Sequence, residues 1–258
     1  MKRNTQSSLK SDVRDRNNPL HSYDRFDLLD GSHDWQSQVD DGAVLYPVRE
    51  LPGGKVIYFN FPLAKDMGLI HREHPNQIFK DLEKKILKTF AIQIINEYDQ
   101  VNNRKFPEDT IKPKKFMATR YLQLQHPNKQ GKTSGDGRSI WNGMIKSRGR
   151  VWDVSSRGTG VTCLAPGAVE AGKPLKSGDE SFGYGCGMAE LDELVATAIF
   201  SEIMHAQGIG TERVLAIIDL GNGLGIGVRA APNLIRPAHI FRFLKMNDYD
   251  NCKKAADY

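Results

Sequence analysis

The sequence predicts an α+β fold made of antiparallel hairpins and amphipathic helices. Three observations carry this expectation. Strand-like runs rich in Val, Ile, Tyr and Trp come in pairs around short turn segments, over residues 44–60, 138–156 and 214–231. Apolar residues recur at helical spacing over residues 76–98 and 189–207. A chain of 258 residues with 39% hydrophobic and 26% charged side chains can also bury a sizeable core.

Taken in order, residues 1–42 mix Asn, Ser, Asp and Arg with isolated Tyr23, Phe26 and Trp35, and show no sustained period; a loosely ordered arm is expected. Val44-Leu45-Tyr46-Pro47-Val48 and Lys55-Val56-Ile57-Tyr58-Phe59-Asn60 flank Leu51-Pro52-Gly53-Gly54, whose turn chemistry predicts that the two runs pair as a hairpin. Ile78, Leu82, Ile86, Phe90 and Ile94 recur every four positions, which predicts one long amphipathic helix over residues 76–98. Residues 43–115 thus read as an N-terminal extension, and residues 116–258 as a second unit. In that unit the runs 138–145 and 150–156 are joined by Lys146-Ser147-Arg148-Gly149 and predict a hairpin. Residues 165–187, rich in Gly, Pro, Lys and Ser, read as an inserted surface loop. A helix follows over residues 189–207, stopped by Gly208, and the runs 214–220 and 225–231 form a last hairpin around Gly-Asn-Gly.

Composition narrows the function classes. No stretch approaches the roughly 18 apolar residues of a membrane span, and the polar first 18 residues carry no signal-peptide core, so a cytoplasmic protein without a membrane partner is expected. Cys163, Cys186 and Cys252 are odd in number and far apart, which points to reduced thiols rather than a disulfide framework or zinc site. Residues 104–157 carry 13 Lys/Arg against 4 Asp/Glu, enough for an anionic ligand to dock there. The segment lacks interleaved aromatics and any nucleic-acid-binding signature, so a nucleotide suits it better than RNA or DNA.

Gly135-Asp136-Gly137-Arg138 stands immediately before a strand. Two glycines there let the backbone approach an oxygen-rich ligand, and Arg138 adds a charge-assisted contact. Gly221-Asn222-Gly223-Leu224-Gly225-Ile226-Gly227 is not a dinucleotide fingerprint, because a strand and Pro232 follow it instead of a helix. His71 and His74 form an H-x-x-H on an irregular segment without a third ligand, so no metal site is assigned. His205, next to Met204, reads as a packed helix histidine rather than a general base.

The order and spelling of these blocks resemble the selenoprotein O (YdiU-type) family of kinase-like protein adenylyltransferases. The similar segments are Phe59-Asn60-Phe61-Pro62-Leu63-Ala64-Lys65-Asp66-Met67-Gly68-Leu69, Gly135-Asp136-Gly137-Arg138-Ser139-Ile140, Trp152-Asp153-Val154-Ser155-Ser156-Arg157-Gly158-Thr159-Gly160, the run from Ser201 to Leu215, and Val228-Arg229-Ala230-Ala231-Pro232-Asn233-Leu234-Ile235-Arg236. The resemblance implies that residues 116–258 form a protein-kinase-like N-lobe, with an αC-like helix and an N-terminal helical extension. It implies a site holding ATP in a flipped orientation, whose AMP passes to Ser, Thr or Tyr hydroxyls of proteins. By that carry-over Gly135, Gly137, Arg138, Arg157, Gly187, Arg229 and Arg236 contact nucleotide, with Mg²⁺ or Mn²⁺ bridging its phosphates.

The departures are specific. Arg157 stands where the family places its strand lysine, and Thr197 where its helix glutamate aligns; Glu202, five residues on, points from another part of the helix. Cys186 replaces an aspartate. The chain ends at Ala255-Ala256-Asp257-Tyr258, which resembles the family's lobe junction, so the catalytic base and metal ligands are expected outside this sequence, on a C-terminal lobe or a separate chain. No catalytic residue or metal ligand is therefore assigned. Alternatives stay open: an inactive nucleotide- or protein-binding regulator, and, resting only on the basic excess, an RNA-binding module.

Overall fold

The computed structural model describes residues 22–124, 129, 131–179, 181–182 and 186–258; the first 21 residues of the expected arm lie outside this set. Residues 22–42 bury Phe26, Leu29, Trp35 and Val39 through a short 3₁₀ turn at Asp24–Leu28 and helix α1 at Trp35–Gln38. The isolated aromatics of this segment are anchors, since each large ring withdraws a substantial apolar area from water.

Three short strands follow: β1 (Ala43–Tyr46), β2 (Val48–Glu50) and β3 (Lys55–Phe59). Helices α2 (Phe61–Asp66) and α3 (Lys80–Phe90), strand β4 (Ile92–Ile94), helix α4 (Glu97–Val101) and strand β5 (Phe116–Thr119) complete the first half. The second half contains β6 (Ser139–Ser147), β7 (Arg150–Arg157), α5 (Pro166–Ala171), β8 (Ala189–Glu190), α6 (Leu191–Ala206), β9 (Arg213–Gly221), β10 (Leu224–Ala231), α7 (Pro237–Lys245) and α8 (Tyr249–Asp257).

All strand pairings are antiparallel. The main sheet runs β1-β5-β6-β7-β10-β9-β3, with β8 against the start of β10, and β2 and β4 form a separate ribbon. Strands from both halves of the chain therefore share one sheet. The expected β6/β7 and β9/β10 hairpins are present, closed by Arg148-Gly149 and Asn222-Gly223; all four residues have positive φ, as tight hairpin turns require.

Two expectations are corrected. The runs at 44–48 and 55–60 do not pair with each other: β1 joins β5, β2 joins β4, and β3 joins β9. The intervening Pro-Gly-Gly steers the chain across to Ile218 and Asp219, against which Gly54 packs. The long helix is also shorter than its period suggests. It ends at Phe90, and Ile92 and Ile94 become alternate buried residues of β4, a strand pattern that coincides with the helical spacing over one turn. Residues 165–187 hold α5 and the buried Leu175 in addition to loop, and α7 and α8 lie beyond the last expected element.

The sheet's two faces have different roles. Val154, Ile226, Val228 and Ala230 pack with Leu63 of α2, Met67 just after it, and Leu82, Ile86 and Phe90 of α3 into the main core. On the opposite face Leu194 and Ala198 of α6 pack on Val214 and Ile217. Gly225 and Gly227 make that approach possible, since a Cβ on Gly227 would stand 2.5 Å from Leu194 Cδ2.

Candidate functional site

Arg157 faces Ser139 and Gly227 across the sheet, and Arg229 faces Ser155, so both arginines emerge on the α6 face of adjacent strands. There they border a cavity of about 610 Å³ lined also by Tyr121, Gly137, Arg138, Phe182 and Arg236. Five of the seven residues expected at the site thus converge on one cavity. Gly135 and Gly187 do not line it. A Cβ on Gly135 would stand 2.1 Å from the Thr119 carbonyl oxygen, and one on Gly187, at φ +84°, would stand 2.0 Å from Val161 N. Both glycines serve close backbone packing behind the cavity wall, which a pattern of glycines alone does not distinguish from ligand approach.

One wall of the cavity is a closed polar network. Asp136 is buried, and its Oδ2 accepts from Thr119 N (2.9 Å), Thr119 Oγ1 (2.6 Å) and Trp141 Nε1 (2.9 Å). His239 continues it. Its Nδ1 accepts from Arg236 N at 3.0 Å, which places the ring proton on Nε2, donated to Thr119 Oγ1 at 3.0 Å. Burial pushes the His239 pKa down to about 4 against the opposing pull of Asp136. The turn bearing Arg138 and the loop bearing Arg236 are thereby tied through three buried side chains. Arg236 itself stacks over Tyr121, 4.4 Å from the ring centroid. Burial and Asp136 together raise the Tyr121 pKa, so its phenol stays protonated.

The other wall presents arginines held by ion pairs to carboxylates that do not themselves line the cavity. Glu193, in the first turn of α6, accepts a forked pair from Arg138 (Nη2 2.7 Å, Nη1 2.9 Å) and a third bond from Arg157 Nη1 (3.0 Å). The Arg138 bonds hold its carboxyl below the usual range, despite partial burial. Glu212 accepts from Arg229 Nη1 through both oxygens (2.9 and 3.1 Å) and stands 3.5 Å from Arg157 Nη2. Burial and the neighbouring Arg229 lower the Arg157 pKa; for Arg229 the burial penalty is outweighed by Glu212 and Asp136, and its pKa rises.

Glu193 and Glu212 were not singled out in the sequence. With Thr197 at the aligned position the strand-cation to helix-carboxylate pair was expected to be lost; it is made by Glu193 instead, one turn earlier, and Thr197 Oγ1 donates to the Glu193 carbonyl oxygen at 2.8 Å. Glu202 pairs with Arg213, away from the cavity. The available signal was the helical spacing: Glu193 precedes Thr197 by four residues and occupies the same side of α6.

Other candidates resolve structurally. His74 is buried against Tyr23 Oη (2.9 Å), and His205 is exposed rather than packed. Among the described residues no three His, Cys, Asp or Glu side chains come together as a metal ligand set. Much of the basic excess is neutralised locally: Arg104 pairs with Asp99, Lys112 with Glu50 and Lys114 with Asp30. No described helix is long and apolar enough to cross a membrane.

No family model matches the chain. Curated relatives do. The protein nucleotidyltransferase YdiU of Alkalilimnicola ehrlichii is 30% identical over 133 residues, 48% of this chain and 24% of the relative. That of Maridesulfovibrio salexigens is 29% identical over 133 residues, with the same coverage. That of Clostridium botulinum is 28% identical over 173 residues, 67% of this chain and 27% of the relative. The chain spans about a quarter of the length of these relatives. The chain thus combines a mixed α and β fold built on an antiparallel sheet, an arginine-lined cavity and sequence similarity to curated nucleotidyltransferases. It is similar to these YdiU proteins over about half to two thirds of its own length.

Proposed function

We propose that the cavity binds the phosphates of ATP, and that residues 116–258 are the nucleotide-binding lobe of a kinase-like fold, with residues 43–115 as its extension. The observation that carries this is the convergence of Arg138, Arg157, Arg229 and Arg236 on one cavity. Guanidinium forks match phosphate oxygens bidentately. Arg229 Nε adds to this: it is buried and finds no acceptor among the described residues, although its side chain is only 13% exposed. A buried donor of this kind costs about 1–3 kcal/mol until an acceptor arrives. Phe182 and Tyr121 supply apolar surface for a base.

In this reading Arg138, Arg157 and Arg229 hold the phosphates, Arg236 closes over them from the Tyr121 side, and the Asp136–Thr119–His239 network keeps the two arms in register. The relatives' name extends the reading to nucleotidyl transfer to proteins, and the family resemblance adds Ser, Thr or Tyr hydroxyls as acceptors and the cytoplasm as the setting. The described residues form no ligand set for Mg²⁺ or Mn²⁺, so no step is derived through a metal. Binding without turnover is the alternative, favoured by the engagement of Glu193 and Glu212 in ion pairs with the cavity arginines.

The test is thermal stabilisation by ATP, since a ligand that binds only the folded state raises the midpoint by mass action. At millimolar ATP the wild type should shift upward, and the Arg229→Ala, Arg236→Ala double variant should lose most of the shift. No shift in the wild type, or an equal one in the variant, would overturn the assignment.

A further inference from the structure

Two carboxylates meet the cavity arginines in different ways. Glu193 offers two oxygens to the two terminal nitrogens of Arg138, the end-on fork that fixes a guanidinium. Glu212 places both oxygens on a single nitrogen of Arg229, leaves Nε without an acceptor among the described residues, and reaches toward Arg157 at 3.5 Å. Such a contact supplies negative charge between two guanidiniums without using their full donor set. A phosphate has three oxygens for the same nitrogens.

The supports also differ. Glu193 sits on the 16-residue helix α6. Glu212 ends the link from Gln207 to β9, where residues 207–210 are exposed. A Cβ on Gly208 or Gly210 would meet nothing within 4 Å. That link can carry the carboxylate outward without breaking a packed contact at either glycine.

We propose that Glu212 is a resident anion, which occupies the position between Arg157 and Arg229 that a ligand phosphate takes, and that nucleotide binds by exchanging with it. This inference rests on the reading of the cavity as a phosphate site. It makes Glu212 a determinant of affinity: the carboxylate spares Arg229 an unpaired buried charge in the free protein and is a competitor of the ligand.

The experiment is calorimetric titration of the full chain with inorganic pyrophosphate and with ATP, comparing wild type with Glu212→Gln and Glu212→Asp. Removing the resident charge should tighten pyrophosphate about tenfold, equivalent to about 1.4 kcal/mol. Glu212→Asp keeps the charge but shortens its reach by one methylene, and should tighten pyrophosphate less, in the same direction. It also supplies the decisive comparison if Glu212→Gln does not fold. Wild type that binds ATP while the variants bind pyrophosphate no more tightly overturns this inference and leaves the phosphate site standing. If neither wild type nor variants bind pyrophosphate or ATP, both readings fall.

Discussion

The cavity's two walls solve one problem, holding arginines in place, by opposite means. On the Asp136 wall every partner is buried and neutral except the carboxylate, and one oxygen receives three donors. On the Glu193 wall the contacts are charge pairs, with the carboxylates about one third exposed and the guanidiniums mostly covered. A closed network around one buried carboxylate in a low-dielectric setting is costly to open, whereas pairs whose carboxylates are about one third exposed are partly screened and open more readily to water or a ligand. The first wall therefore sets geometry, and the second adapts to what binds.

The largest effect that could break this contrast belongs to Asp136. Asp136→Ala strands Thr119 N, Thr119 Oγ1 and Trp141 Nε1 together, and should cost about 3–5 kcal/mol in a urea unfolding curve. A loss below about 1 kcal/mol would show that the network does not set the wall.

His239 provides a milder, pH-tuned version of the same test. Its folded pKa, about 4, lies below the ordinary histidine value, so the unfolded chain binds the proton more readily. Its contribution is complete above about pH 6.5 and is lost as pH falls toward 4, with a ceiling of about 3 kcal/mol. His239→Asn, whose side-chain oxygen can still accept from Arg236 N, should flatten the stability-versus-pH slope in that window. An unchanged slope would remove His239 from the network.

The same contrast explains what the sequence could and could not reveal. Hairpin turns announce themselves because Arg148-Gly149 and Asn222-Gly223 carry their constraint locally, and the arginines of the cavity sit in contiguous, recognisable blocks. The ladders from β1 to β5 and from β3 to β9 join residues at least 70 and more than 150 positions apart, and no local period encodes that choice. The roles of Gly135, Gly187 and Gly227 were hidden for the same reason: what a Cβ would strike at each is a neighbour brought in by the fold. Glu193 and Glu212 are ordinary surface glutamates by composition. Only the packing of Leu194 onto Gly227 brings Glu193 beside Arg157.

Thr197 offers the smallest and most discriminating effect. The sequence resemblance places the helix carboxylate there, while the structure gives that work to Glu193, four residues earlier on the same side of α6. If Glu193 is the partner, Thr197→Glu sets two like charges at i and i+4 and forfeits the hydroxyl bond to the Glu193 carbonyl oxygen. It should therefore lose about 0.5 kcal/mol and leave the ATP-induced thermal shift unchanged. If position 197 were instead the natural seat of the pair, the new carboxylate would stabilise the fold or enlarge that shift. The sign of a half-kilocalorie change thus decides which turn of α6 addresses Arg157. Because Arg157 lies between Glu193 and Glu212, it also decides whether the adaptable wall is held from the helix or from the link that follows it.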